Sequence, residues 1–394
     1  MRKILFLASW YPSRVDPFNG DFIERHAKCI SQTNKVYVIY IVKDPSFKNG
    51  KWEIDKKVAS NLITYTGYYA PKKTRFLDKF YSNLHYRKLH KKIFKLIRDE
   101  YGMPAVVHLN VMIKAGLFAL WLKKKYKLPY VLSEHWTGYS TERKDNYEHK
   151  SLLYKYFSKR IFQQSEWLLP VTKNLGERMN YLFGKKKITA IPNVVDTQLF
   201  YNDPNKNQDK IKFIHVSSLA YHKNIWGILH SVEKLFKLRN DFEVHLIGPA
   251  SKEIIDWTAT RGLLNNCIFF TGIIPYEKVA ENMRKSDSLL MFSRYENLPC
   301  VILEALCCGL SLISTDVGGI REVINEENGI LIPSEDEEEL LKAMEFMITN
   351  MHQFNRKKIA INAKNKYNYN KVGQQFNEIY SQVISEKKIK NNFV

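Results

Sequence analysis

"SLLMFSRYENLPCVILEALCCGLSLIST", residues 288–315, reads as strand, loop, helix, strand. "SLLMFS" and "LSLIST" are apolar runs of strand length, and Pro299 is a natural first residue for a helix that Gly309 stops. Strand, helix and strand in that order are the unit of a parallel sheet covered by helices. The helix is apolar nearly all round, which predicts burial, yet it carries Glu304. An ionised carboxylate there is costly unless donors meet it, so Glu304 needs a partner, either an internal cation or something bound.

The same alternation runs outward in both directions. "IKFIHVSS" (211–218), "FEVHLIG" (242–248) and "CIFFTG" (267–272) are further strand candidates before the opening stretch. In the first half "KILFLAS" (3–9), "KVYVIYIV" (35–42), "AVVHLN" (105–110), "PYVLSEH" (129–135) and "WLLPVT" (167–172) alternate with helical patterns. Between the halves, "IPNVVDTQLFYNDPNKNQDK" (191–210) is rich in Asn, Asp and Pro and reads as a connection. The fold class is therefore α/β, with two doubly wound, Rossmann-like domains whose parallel sheets face a cleft. Their expected limits are 1–200 and 201–370, with a closing helix over 371–394 that has apolar spacing at Val372, Phe376, Ile379, Tyr380 and Val383. A chain of 394 residues supports two cores, and 45% hydrophobic content excludes disorder.

Charge separates the halves. Residues 1–200 hold 37 Lys and Arg against 16 Asp and Glu, a surplus of 21, whereas residues 201–394 hold 24 of each. The first domain is thus expected to face something anionic. Its densest stretch, "KKTRFLDKFYSNLHYRKLHKKIFKLIRDEYG" (72–102), places Phe76, Phe80, Leu84, Leu89, Ile93 and Ile97 near helical spacing among cations. It reads as one or two basic amphipathic helices, either packed on their own domain or docked on an anionic membrane. No DNA- or RNA-binding motif accompanies this charge, so nucleic acid is not an expected partner. Five cysteines without C-x-x-C spacing disfavour disulfides and zinc. With neither a signal peptide nor an 18-residue apolar run, the expected location is cytoplasmic, peripheral on the inner membrane face.

The loop before the 299–308 helix and its first turn offer free amides for a diphosphate, which would bring an attached ribose near Glu304 and leave Glu296 toward the far side. Glu296, Pro299, Glu304, Ala305, Gly309, Thr315, Gly318, Gly319 and Glu322 together closely resemble the E-x7-E signature of family 4 retaining glycosyltransferases of the GT-B fold. "ILFLASWYPSRVDPFNGDFIERHA", with Gly20, is similar to that family's N-terminal strand and acceptor-side loop, and "PYVLSEHWTG" to the strand bearing its active-site histidine, here His135. "SSLAYHKN" resembles the phosphate-contacting loop and supplies Lys223. Where the family places an arginine, this chain has Ser218, and Asn297 stands for the glycine after the first glutamate.

The resemblance implies transfer of a sugar, with retention, from a UDP- or GDP-sugar to a hydroxyl of a sugar or lipid-linked acceptor. Lys223 and the amides around Asn297 and Leu298 would offset charge on the leaving diphosphate, with Ser218 at the missing cation. Glu304 would hold the ribose, Glu296 the sugar hydroxyls, and His135 would act near the reacting centre. No cofactor and no metal are expected: "SEDEEEL" (334–340) reads as an acidic helix start capped by Ser334. The closing helix is implied to return to the first domain as part of a hinge. The competing expectation, prompted by Ser218, is a non-catalytic nucleotide-sugar-binding relative in an assembly complex.

Overall fold

The computed structural model describes residues 1–47, 51–71, 75–204 and 210–392. Two compact units emerge, with Met1–Tyr139, Tyr147–Asn193 and Tyr369–Val394 in the first and Ser140–Asn146 and Val194–Asn368 in the second.

The first unit contains β1 (Lys3–Ala8), α1 (Asp21–Ser31), β2 (Lys35–Lys43), β3 (Trp52–Ala59), β4 (Leu62–Tyr69), α2 (Arg75–Tyr101), β5 (Val106–Asn110), α3 (Gly116–Tyr126), β6 (Tyr130–Glu134), α4 (Leu152–Gln164), β7 (Trp167–Pro170) and α5 (Lys173–Phe183). Its sheet order is β3-β4-β2-β1-β5-β6-β7. The strand pairs are parallel except β3 with β4, which corrects the expectation of a wholly parallel sheet. A hairpin needs no helical crossover, so β3 can be appended at the edge, where its polar "WEIDKKVA" stays largely exposed. Helix α2 is a single helix. Leu89, Ile93 and Ile97 on it are buried and Leu84 is exposed, while the side chains of Phe76 and Phe80 lie outside the described residues.

The second unit contains β8 (Ile211–Val216), α6 (Ile225–Phe236), β9 (Phe242–Ile247), α7 (Lys252–Thr260), β10 (Ile268–Gly272), α8 (Tyr276–Arg284), β11 (Ser288–Met291), α9 (Cys300–Cys307), β12 (Ser311–Thr315), β13 (Gly329–Ile332), α10 (Glu337–Asn350) and α11 (Arg356–Tyr367). Its sheet, β10-β9-β8-β11-β12-β13, is parallel throughout. Strand order reverses between β8 and β11, the position where such sheets bind ligands beyond their carboxyl ends. In the opening stretch Pro299 is the N-cap of α9 rather than its first residue, and Gly309 follows it at φ 76°. Asp336, not Ser334, caps α10: its carboxylate accepts from Glu339 N at 3.0 Å, while Ser334 Oγ donates to Ser293 O.

Helix α12 (Tyr369–Asn392) is part of the first unit. It buries Val372, Phe376, Tyr380 and Val383, and Asn34 Nδ2 donates to Asn377 Oδ1 at 2.7 Å. Among the described residues no helix is long and apolar enough to cross a membrane.

Candidate functional site

In the second unit, three loops meet at the strand order reversal. After β8 the chain passes Ser217, Ser218 and Leu219 (φ 52°), makes a 3-10 turn over Tyr221–Lys223, and enters α6 through Asn224 at φ 49°. After β11 it runs through Ser293 to Pro299, and after β12 through Asp316 to Gly319. Arg294 N donates to His222 O at 2.8 Å and Gly319 N to Asn297 O at 3.1 Å, so main-chain bonds tie the loops together. Gly318, at φ 57°, is required by contact: a Cβ there would lie 1.8 Å from Glu296 O.

Lys223 and Glu296 are brought together by this framework. Lys223 Nζ lies 2.5 Å from Glu296 Oε1, with side-chain exposures of only 12% and 8%. A close pair withdrawn from water in this way is held as a unit, because removal of either partner strands the other charge. Asn297 and Leu298, also buried, follow Glu296 at the entrance to α9. Glu304 is 4% exposed, and Tyr276 Oη, from the first residue of α8, donates to its Oε1 at 2.6 Å. The partners that burial demands therefore include a phenol. Tyr276 escapes sequence reading because it lies 28 positions away, its only local sign being a helix start after Pro275.

Ser218 is exposed, and its hydroxyl has no hydrogen bond among the described residues. Its neighbour organises the loop instead. Leu219 N donates to Ser217 Oγ at 3.0 Å, and Ser217 Oγ lies 2.7 Å from His215 Nε2, whose Nδ1 lies 2.8 Å from Leu290 O. Donation from Nδ1 to the carbonyl leaves Nε2 as acceptor for the hydroxyl, a neutral tautomer. Burial depresses His215 to about 4, consistent with that state.

The first unit carries a different arrangement at the carboxyl ends of β1 and β6. Gly20, the N-cap of α1 at φ 71°, sits where a Cβ would be 2.7 Å from Trp10 C, which accounts for the glycine by backbone contact. Trp10 packs on Phe22 at 6.4 Å between ring centroids, and Phe22 on His135 at 4.8 Å. Gly20 and His135 therefore belong to one cluster. His135 is 9% exposed and lies 5.5 Å from the His26 ring. His26 Nε2 donates to Pro192 O at 3.1 Å, and His108 joins Tyr380 Oη and Ser133 Oγ at 2.6 and 2.7 Å. Desolvation pushes His135 well below the ordinary histidine range, and the nearby His26 and His108 rings add to the cost of charging it, so its imidazole is neutral.

Glu134, immediately before it, is fully buried and was not singled out from the sequence. Its carboxylate accepts from the backbone amides of Met112, His135 and Trp136 at 2.9, 2.9 and 3.0 Å, and from Tyr139 Oη at 3.3 Å. It fixes the turn that carries His135.

The relatives of the chain give its family. The pattern of the family described as "Glycosyl transferases group 1" matches residues 196–366, and that of "Glycosyltransferase Family 4" matches residues 37–199. TuaC of Bacillus subtilis, named for teichuronic acid biosynthesis as a glycosyltransferase, is 23% identical over 364 residues, 87% of this chain and 88% of the relative. The glycosyltransferase MJ1178 of Methanocaldococcus jannaschii is 24% identical over 74% of this chain and 79% of its own. Among solved structures, sucrose-phosphate synthase from Thermosynechococcus elongatus superposes with a TM-score of 0.78 at 16% identity, covering 98% of this chain and all (100%) of that one. Anabaena HepE in complex with UDP does so with a TM-score of 0.72 at 15% identity over 97% and 100%. Two α/β sheets, two matching family patterns in tandem and whole-length likeness to these structures place the chain among the family 4 glycosyltransferases of the GT-B fold.

Proposed function

We propose that the protein is a retaining, metal-independent hexosyltransferase that uses a nucleotide diphosphate sugar and acts in the synthesis of a surface polysaccharide or glycolipid. The observation that carries this reading is the part-buried Lys223–Glu296 pair at the strand order reversal, with Asn297 and Leu298 beside it. A diphosphate arriving there meets the Lys223 ammonium and the amides leading into α9, so charge growing on the leaving group is offset without a divalent cation. Freed from Lys223, the Glu296 carboxylate accepts hydrogen bonds from the sugar. Glu304 and Tyr276 hold the ribose. In the transfer, the bond from the anomeric carbon to the diphosphate oxygen breaks, the bond to the acceptor oxygen forms on the same face, and the acceptor proton passes to the departing phosphate. Neutral His135 serves a sugar hydroxyl as a hydrogen-bond partner rather than as a cation.

HepE was crystallised with UDP, with UDP-glucose, and with UDP and glucose, and TuaC is named for teichuronic acid biosynthesis; both support the choice of donor and product class. The surplus of positive charge in residues 1–200 supports an acceptor at an anionic, inner membrane face. Exposed Ser218 favours a second reading, a nucleotide-sugar-binding relative without turnover.

The test is donor turnover by wild type, Lys223→Ala and Glu296→Ala over a panel of UDP- and GDP-sugars and hydroxyl acceptors, with the product's anomeric configuration read by NMR. Turnover with retention, lost in both variants, is expected. Wild-type turnover no higher than either variant on every donor would overturn transfer in favour of the binding role, and an inverted product would overturn retention.

A further inference from the structure

A cavity of 1870 Å³ lies within the first unit and shares only Trp10 with the site described above. Its size exceeds the roughly 300–1,000 Å³ of pockets that enclose compact small molecules. The inner end is formed by Ser9 and Trp10, just after β1. Trp10 is the residue that presses on Gly20 and Phe22, so this end of the cavity abuts the His135 cluster. Its lining includes Leu117, Phe118 and Trp121 of α3 and Leu153 and Phe157 of α4. Leu117 and Leu153 are 42% and 66% exposed, and with Phe118, Trp121 and Phe157 they give the lining an apolar patch.

The lining is also strongly cationic, with nine Lys and Arg against three Asp and Glu, a surplus of six. All three acids are already engaged: Asp78 with Lys43 at 2.5 Å, Glu166 with Lys123 at 2.7 Å and Glu386 with Lys187 at 2.8 Å. Lys114, by contrast, is exposed and makes no ion pair or side-chain hydrogen bond among the described residues. It stands at the inner end, because Ala115 N donates to Ser9 Oγ at 3.1 Å. Neither a purely apolar nor a purely anionic ligand uses both properties of this lining.

We infer that the groove takes a lipid phosphate, its head on the Lys114 end beside Trp10 and its hydrocarbon chain running outward between α3 and α4. The inference rests on the transfer reading, since it makes this lipid the carrier of the acceptor hydroxyl presented beside His135. Polar acceptors lacking a chain would then be poor substrates, because binding energy from the distant chain is absent.

The experiment uses the full chain and dodecyl phosphate below its micelle concentration, with binding followed by calorimetry and by the fluorescence of Trp10 and Trp121. Saturable binding is expected, with inorganic phosphate and dodecyl maltoside each at least about tenfold weaker. Leu117→Glu combined with Leu153→Glu, both at exposed positions, and separately Lys114→Glu, should each weaken dodecyl phosphate about tenfold or more. Equal binding of dodecyl maltoside, or unchanged affinity in both variants, would overturn the proposal. So would binding only to phosphatidylglycerol vesicles, which would show adsorption to bulk membrane. Donor hydrolysis by the wild type is measured in parallel. Hydrolysis without dodecyl phosphate binding overturns the groove alone; binding without hydrolysis of any donor leaves a lipid-phosphate site and overturns transfer.

Discussion

The two units share a parallel α/β plan but hold their functional side chains by different means. In the second, the groups lie in short loops after consecutive sheet strands, and a close ion pair, Lys223–Glu296, sits at their centre. In the first, His135 is set by long-range packing: His26 from α1, His108 from β5, and Phe376 and Tyr380 from α12 all converge near it. The second unit keeps a close ion pair among its loops, while the first keeps its imidazoles neutral in an apolar surround.

The largest effect that could break this contrast is loss of Lys223. Lys223→Ala removes the cation and strands Glu296, so kcat/KM should fall about a hundredfold or more, with a stability loss of about 3 kcal/mol. Lys223→Ala with Glu296→Gln should recover most of that stability but none of the activity, and denaturant melts beside steady-state kinetics separate the two.

Acid comes next. His26, His90, His108 and His135 in the first unit are all depressed by burial, His26 and His90 to about 4, whereas His215 is the fully buried counterpart in the second. The folded chain leaves these rings neutral while the unfolded chain protonates near pH 6.5. Their contribution to stability is therefore complete above pH 6.5 and is lost as pH falls below it, at about 1.4 kcal/mol per unit for a ring that stays neutral in the folded chain. Hydrogen exchange resolved by peptide should show the first unit losing protection before the second between pH 7 and 5. Equal loss in the two would erase the contrast.

Two smaller substitutions sharpen it. Gly318→Ala forces a Cβ onto Glu296 O and should cost about 1–3 kcal/mol, read as a lower melting temperature together with weaker donor binding. Tyr276→Phe removes one hydrogen bond to Glu304, about 1 kcal/mol, and should raise the donor KM roughly fivefold with little change in kcat.

Legibility in the sequence follows the same division. The helix around Glu304, the strands flanking it and Lys223 are local patterns of apolar runs, Pro299 and Gly309, and the structure brings Lys223 and Glu296 together. Strand β3 escapes because a polar edge strand lacks an apolar run. Tyr276 is invisible locally, since its contact with Glu304 is made by folding. Glu134 looks like an ordinary strand-end carboxylate until three backbone amides are seen converging on it. The histidine cluster is the extreme case, with His108 and Tyr380 separated by 272 positions. The cavity behind Trp10 likewise exists only once α3 and α4 are packed.

The most direct test of the central claim is calorimetric binding of UDP, GDP, UMP and GMP to the wild type and to Lys223→Ala. A nucleoside diphosphate should bind the wild type at least about tenfold more tightly than its monophosphate, and that advantage should vanish in Lys223→Ala. A diphosphate affinity unchanged by the substitution, or no binding of either diphosphate, would contradict the account.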